Sequence, residues 1–315
     1  MTNAHATTDR YPGELADVPG WFPPLDQMLF TWFLERQREQ GVRGDLLELG
    51  VYLGKSAILL GRHLGDGETF TVCDLFEGEA PDGANQAETA RSYSSLTRQA
   101  FERNYLSFHD DLPAVIAGPS SLVSERVAPG SCRFVHIDAS HLYEHVHGDI
   151  GAAREILQPG GVVVLDDFRS EHTPGVSAAA WEAVLNRGLN PLCLSTQKMY
   201  GTWGDPGPLQ EELLAMLRER TDCSVSVQQA AGHRLVRARS RGMQPPAFPP
   251  SRHYVAPVPA QTPAPAASGS PAAPRAARPA PSRARRLAKD LLPPLVTRAV
   301  RRARKRGSRG AAAVS

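Results

Sequence analysis

The sequence predicts an α/β fold: a Rossmann-like, doubly wound and mainly parallel sheet with helices on both faces, followed by a disordered Pro/Ala/Arg-rich C-terminal tail. Two observations predict the sheet. Short apolar runs alternate with helix-like segments through most of the chain, which is the pattern of repeated strand–helix–strand units. Four of these runs end in acidic residues, which are Glu48, Asp74, Asp138 and the pair Asp166-Asp167. A change of composition near residue 241 predicts the tail.

Charge divides the 315 residues into two parts. Residues 241–315 hold 15 of the 35 Lys and Arg residues but only one of the 33 acids, Asp290, so the remainder is acidic. We therefore expect four segments along the chain. They are a flexible lead-in over 1–22, one Rossmann-like domain over 23–240, a Pro/Ala-rich linker over 241–281, and a basic tail over 282–315 that can form a helix in part.

The cysteines and the termini indicate a cytoplasmic protein. Cys73, Cys132, Cys193 and Cys223 lie far apart, which suits neither a zinc cluster nor a disulfide framework and favours buried thiols. The N-terminal residues lack the apolar core of a signal peptide, and no apolar run is long enough to span a membrane. The basic tail leaves two partners open, an anionic membrane surface or nucleic acid.

The hydrophobic periodicity predicts the elements in order. Apolar residues at helical spacing predict a first helix over 24–40 that covers the sheet or the mouth of a pocket. Strands are predicted at 45–49, 69–73, 114–117, 132–137 and 162–165. Further helices are predicted at 56–64, 96–106, 122–127, 143–157, 176–185 and 209–220, with strand-like runs in 191–203 and a hairpin of 224–229 with 233–238. The polar stretch 77–95 is long for a strand–helix loop and is predicted to be a lid.

The strand ends predict a nucleotide-type site, because the carboxyl ends of parallel strands meet at one edge of the sheet. Gly50 and Gly54 let the backbone approach a ligand closely, and the helix that follows offers free N–H groups. Asp74 follows the second strand at the distance expected of an acid that accepts hydrogen bonds from ribose hydroxyls. Ser120, in the run Gly-Pro-Ser-Ser, is predicted beside a purine.

Four segments in this order resemble motifs of known methyltransferases. Residues 48–56, ELGVYLGKS, resemble motif I of class I S-adenosylmethionine-dependent methyltransferases. Residues 74–78, DLFEG, look like the D-x-F-E-G of the macrocin O-methyltransferase type. Residues 136–144, HIDASHLYE, and 158–168, QPGGVVVLDDF, resemble the motifs of methyltransferase family 24. The resemblance covers roughly residues 40–205.

The resemblance implies an enzyme that transfers a methyl group from S-adenosyl-L-methionine to a hydroxyl of a sugar or natural-product small molecule. It implies a cofactor site formed by Glu48, Gly50, Tyr52, Gly54, Ser56, Asp74 and Ser120. Relatives often bind a divalent cation through the acids after strands four and five, which here are Asp138, Asp166 and Asp167. Converging carboxylates repel unless a cation compensates them, and oxygen ligands suit Mg²⁺ or Mn²⁺.

The predicted catalytic residues are Asp138 and His141. The cation would lower the pKa of the acceptor hydroxyl, and His141 would take its proton. Ala139 and Ser140 stand where the family pattern has a glycine and an acid. A role for an acid at position 140 is therefore not transferred.

Other functions stay open at this stage. A non-methylating nucleotide-dependent or hydroxylase-like enzyme can use the same fold, and the tail alone can serve as a binding segment. His141, His145 and His147 suggest zinc, but they do not form the H-E-x-x-H pattern of a zinc hydrolase.

Overall fold

The structure is a computed structural model that describes residues 11–78, 83 and 96–256. All of them belong to the first of two compact units, Met1–Pro257. Most of the predicted lid and the whole predicted basic tail lie outside the described residues. Those two predictions, and the partners predicted for the tail, stay predictions.

The described helices are α1 (Pro24–Glu39), α2 (Lys55–Arg62), α3 (Arg98–Leu106), α4 (Val123–Arg126), α5 (Tyr143–Ile156), α6 (Pro174–Asn186) and α7 (Gly207–Glu219). The strands are β1 (Asp45–Leu49), β2 (Phe70–Asp74), β3 (Ala114–Ala117), β4 (Cys132–Ile137), β5 (Leu157–Leu165), β6 (Asn190–Leu194), β7 (Met199–Thr202), β8 (Cys223–Ala230) and β9 (His233–Ser240). Short 3₁₀ turns occur at Leu15–Asp17 and Ser120–Leu122.

The strands form one sheet in the order β3-β2-β1-β4-β5-β7-β6-β9-β8. The first five are parallel to one another, β7 is antiparallel to both β5 and β6, and β9 is parallel to β6. Apolar clusters fill both faces of the sheet: α1, α2, α3 and α7 pack on one face, and α4, α5 and α6 pack on the other. The predicted fold class is confirmed for this part of the chain.

One boundary differs from the prediction at the junction of α5 and β5. The strand begins at Leu157 and includes Pro159, which was predicted only to break the helix. The register between β4 and β5 shifts near Cys132, so the extra residues bulge out of the ladder. A proline is tolerated there because a bulged residue has no ladder bond to lose.

The packed domain is longer than the predicted 23–240, so both flanking predictions are wrong within the described residues. In the predicted lead-in, Val18 is fully buried. In the predicted linker, Ser251 is buried and its backbone N–H donates to the carbonyl of Gly13 at 2.9 Å. The two flanking segments therefore bind each other and extend the domain over 11–256.

The four cysteines are buried and carry free thiols, as predicted. Burial raises the pKa of both Cys73 and Cys132 to about 12, so these thiols are unreactive at neutral pH. Among the described residues, no helix is both long enough and apolar enough to cross a membrane.

Candidate active site

A cavity of about 710 Å³ opens at the carboxyl edge of the parallel strands. The loops after β1 to β5 line it, together with one face of α5 and the segment 19–22 that precedes α1. The predicted site residues in its wall are Gly50, Tyr52, Ser56, Asp74, Ser120, Asp138, His141, Asp166 and Asp167. The structure therefore brings most of the predicted site together at one place.

The two glycines of the turn after β1 have different roles. Gly50 lines the cavity with φ +78°, and a Cβ there would lie 2.1 Å from the carbonyl oxygen of Asp138. Gly54 has φ +92° at the start of α2, and its Cβ would meet the Phe101 ring at 3.0 Å. Gly54 does not line the cavity, so its predicted cofactor contact is replaced by a packing role against α3.

Asp74 holds the turn after β1 in place. Its Oδ2 accepts hydrogen bonds from the backbone N–H groups of Val51 at 2.7 Å and Tyr52 at 3.1 Å. Its Oδ1 accepts from the N–H of Phe76 at 2.9 Å. Burial raises the pKa of Asp74, although these amides act in the opposite direction. Asp74 also lines the cavity, so a ligand hydroxyl there can share its carboxylate with these amides.

The rim of the cavity includes aromatic residues from two segments. Tyr52 adopts φ +47° and stacks on Trp21 with ring centroids 5.8 Å apart. Trp21 is 69% exposed although it lines the cavity. Sequence reasoning missed this contribution because residues 11–22 lack periodicity, and the adjacent aromatic residues Trp21 and Phe22 were the available signal.

Glu48 lies beneath the cavity and not in its wall. It faces His136 across the β1–β4 register, and His136 Nδ1 is 2.7 Å from Glu48 Oε1. Burial raises the pKa of Glu48 to about 8 and lowers that of His136. The Lys198 ammonium, 3.4 Å from His136 Nε2, can only donate, so Nδ1 carries the proton and donates to Glu48. Glu48 therefore does not lie where the predicted cofactor contact requires. It lies beneath the cavity, where it holds His136 in place.

Asp166 is paired with a cation that belongs to the chain itself. Its Oδ2 accepts from Nζ of Lys198, a fully buried side chain in the turn between β6 and β7. Its Oδ1 accepts from the backbone N–H of Asp167 at 2.7 Å. Burial lowers the pKa of Lys198, while the nearby acids, Asp138 first, oppose that shift. The charge of Asp166 is therefore already compensated by an ammonium, which would repel a metal ion at the same oxygen and disfavours its predicted role as a metal ligand.

Asp138, His141 and Asp167 converge on the other side of the cavity. His141 Nε2 is 3.1 Å from Asp167 Oδ2, and the hydroxyl of Ser170 donates to Asp167 Oδ1. Burial raises the pKa of Asp138 to about 6, against the opposing charge of Lys198. Burial alone would raise the pKa of Asp167, but hydrogen bonds from His141 and Ser170 hold it below its usual value.

The predicted metal ligands divide into two groups that share Asp138. Ligand atoms of Asp138, His141 and Asp167 lie within 4.8 Å of one another, and the same holds for His136, Asp138 and Asp166. Asp138 with Asp167 fits a divalent cation, because both carboxylates line the cavity. His147 pairs with Glu182 of α6 at 3.6 Å, so it does not join His141 and His145 in a zinc site.

The comparisons with known proteins agree with the motifs. A family model described as a methyltransferase domain matches residues 47–168. No curated protein sequence matches the chain.

Solved structures similar to the chain include the O-methyltransferase NovP, with 19% identity, a TM-score of 0.45, and coverage of 57% of this chain and 81% of that one. The calicheamicin methyltransferase CalS11 has 18% identity, a TM-score of 0.42, and coverage of 58% and 82%. TomG of Streptomyces achromogenes, an O-methyltransferase, has 18% identity, a TM-score of 0.32, and coverage of 69% and 78%. The family match confirms the resemblance to class I S-adenosylmethionine-dependent methyltransferases.

Proposed function

We propose that the protein is an S-adenosylmethionine-dependent O-methyltransferase that acts on a hydroxyl of a sugar or natural-product small molecule. The observation that carries the proposal is the composition of one cavity wall. Asp74, a carboxylate that can accept from a ribose, lines the same cavity as the His141–Asp167 pair, which is suited to proton transfer. The acceptor class follows from the motif resemblance.

The cofactor position follows from the cavity wall. Gly50, Tyr52 and Ser56 would hold its methionine part, and Asp74 would accept hydrogen bonds from its ribose hydroxyls. Its purine lies near Ser120 in the loop after β3. The sulfonium would then face Asp138 and His141, which line the same cavity, as transfer to a bound hydroxyl requires.

The reaction is an in-line displacement. The acceptor oxygen forms a bond to the methyl carbon while the carbon–sulfur bond breaks, and the sulfur keeps the electron pair as a neutral thioether. Nδ1 of His141 takes the proton of the hydroxyl, while Nε2 donates to Asp167, which orients the imidazole and stabilises the imidazolium. The walls of the cavity position both reactants, which lowers the entropic cost of their encounter.

Asp138 and Asp167 are the residues that would hold Mg²⁺ or Mn²⁺, with water and substrate as the remaining ligands. A bound cation would lower the pKa of the acceptor hydroxyl. Lys198 already compensates the charge of Asp166, so Asp138 and Asp167 are the two carboxylates left to bind the cation. Chelation followed by addition of Mg²⁺ tests this part: restored turnover supports it, and full turnover in excess chelator contradicts it.

Titration calorimetry with S-adenosylmethionine tests the proposed cofactor. We expect binding by the wild type and a loss of affinity of at least about tenfold in Asp74→Ala, because a charged acceptor is removed from the ribose site. Asp45→Ala is the matched control, since Asp45 accepts the backbone N–H of Thr69 at 2.7 Å at the opposite end of the sheet. Absence of binding, or equal affinity in wild type and Asp74→Ala, would contradict the proposal.

The reaction itself is tested by mass spectrometry with a panel of hydroxylated sugars and aglycones. The proposal expects a product heavier than the acceptor by one methylene. Consumption of a nucleotide with any other mass change would favour the non-methylating alternative.

A further inference from the structure

One buried acid in the cavity wall belongs to none of the motifs. Asp149 lies on α5, and His145, Gly148 and Ala152 share its helix face at helical spacing. All four residues line the cavity. Asp149 is only 3% exposed, which is unusual for an aspartate, and His145 on the same helix face acts on its charge.

The Asp149 carboxyl is incompletely hydrogen-bonded. The hydroxyl of Ser120 bonds to it, whereas Oδ2 has no hydrogen-bond partner within the described part of the chain. Burial raises the pKa of this carboxyl to about 6. A buried acceptor without a hydrogen bond destabilises the folded protein. A ligand that donates a hydrogen bond to this acceptor recovers that free energy when it binds.

The surroundings of Asp149 suit a flat ring. The loop Gly118 to Ser121 lies on one side, and its Ser120 is already bonded to Asp149. On the helix side, a Cβ added at Gly148 would meet nothing within 4 Å, so the wall is open there. The cavity at this point has small walls and one charged acceptor, which fits a heterocycle with an exocyclic amine.

We propose that Asp149 selects the purine of the cofactor by accepting a hydrogen bond at Oδ2 from its exocyclic 6-amino group. The inference rests on the proposed function, since it assigns the adenine end of that cofactor. A purine with an oxygen at position 6 would place an acceptor against the carboxylate and would be rejected. The carboxylate therefore discriminates between adenine and hypoxanthine.

Titration calorimetry with S-adenosylhomocysteine and S-inosylhomocysteine tests the inference. We expect wild type to prefer the adenine compound by roughly 10- to 100-fold, the range for one hydrogen bond to a charged group. Asp149→Asn should lose most of this preference, because its amide can also donate to a 6-oxo group. Glu144→Gln, which changes another cavity-lining acid of α5, should keep the wild-type preference.

The outcomes separate this inference from the proposed function. If wild type binds neither compound, both fail. If wild type binds both compounds equally, or Asp149→Asn keeps the full preference, the role of Asp149 is wrong while the cofactor assignment stands. A second measurement needs no variant: the purine-riboside analogue without a 6-substituent should bind wild type about tenfold more weakly than S-adenosylhomocysteine, and equal affinity would overturn the inference.

Discussion

Buried charged groups at the two ends of the sheet differ in how completely they are hydrogen-bonded and paired within the fold. At the amino end, Arg133 is almost fully buried and every one of its nitrogens donates within the fold. Glu68 accepts from it at 2.8 Å and also accepts backbone N–H groups of Gly44 and Gly65. This ion pair is complete without any ligand.

At the carboxyl end, the buried charges are left incomplete. Lys198 pairs with Asp166, but it also faces the charges of Asp138 and Glu48. Within the described residues, Asp149 Oδ2, in the cavity wall, has no hydrogen-bond partner. The comparison indicates that the amino end contributes stability, whereas the carboxyl end keeps an unsatisfied acceptor that a ligand can pair with.

The largest effect is expected on turnover, from His141→Ala. Removal of the proposed base should lower kcat by about 10²- to 10⁴-fold, because general-base catalysis typically contributes that factor. Affinity for S-adenosylmethionine should stay unchanged, since His141 faces the acceptor. The control is His147→Ala, a half-exposed histidine of α5. Wild-type kcat in His141→Ala would show that another group takes the proton.

The second prediction concerns Arg133→Met, which removes the buried ion pair at the amino end of the sheet. Glu68 would remain buried and uncompensated, so the free energy of unfolding should fall by about 3–5 kcal/mol in urea titrations. Cofactor affinity of the folded fraction should not change, because the cavity lies at the other end. A loss of cofactor affinity without loss of stability would contradict the assignment of stability to the amino end and of binding to the carboxyl end.

The third prediction concerns Lys198→Met, the matching change at the incomplete end. Asp166 would lose its buried cation, and we again expect a loss of up to about 3–5 kcal/mol in stability. Unlike Arg133→Met, this variant should also lower kcat in the folded protein, because Lys198 fixes the position of Asp166 and the adjacent Asp167. Stability and kcat are measured on the same preparations, and an unchanged kcat would contradict the assignment.

The smallest effect is a pH-dependent gain of stability in Asp149→Asn. Burial raises the pKa of this acid from 3.8 to about 6 in the folded state, so the folded protein binds the proton more tightly than the unfolded chain. Wild type therefore loses stability as pH rises through this range. The variant should gain about 1 kcal/mol more at pH 8 than at pH 5, and an equal difference at both pH values would contradict an ionised Asp149.

The sequence predicted the sheet and its acidic edge because both follow from local patterns. An apolar run that ends in an acid marks a strand end, and this logic placed Asp74 and Asp138 correctly. It failed for Glu48, which precedes the last residue of β1 and points into the packed face beneath the cavity.

Contacts between distant segments were beyond these patterns. Lys198 reaches Asp166 because β7 inserts between β5 and β6, an order that apolar runs do not reveal. In the sequence, Asp149 is an ordinary polar residue of an amphipathic helix. Only the structure shows that Ser120, in the loop after β3, hydrogen-bonds to it. The segments that flank the domain pack through a few side chains without periodicity, so composition alone suggested loose ends.

Hydrogen–deuterium exchange with and without S-adenosylhomocysteine tests the central claim most directly. A ligand that completes the carboxyl end should protect the turn after β1, the end of β2 and the loop of Ser120. The amide groups around Arg133 and Glu68 should exchange at the same rate in both states, because that end is already complete. Protection centred on the amino end, or no protection at saturating ligand, would contradict the account.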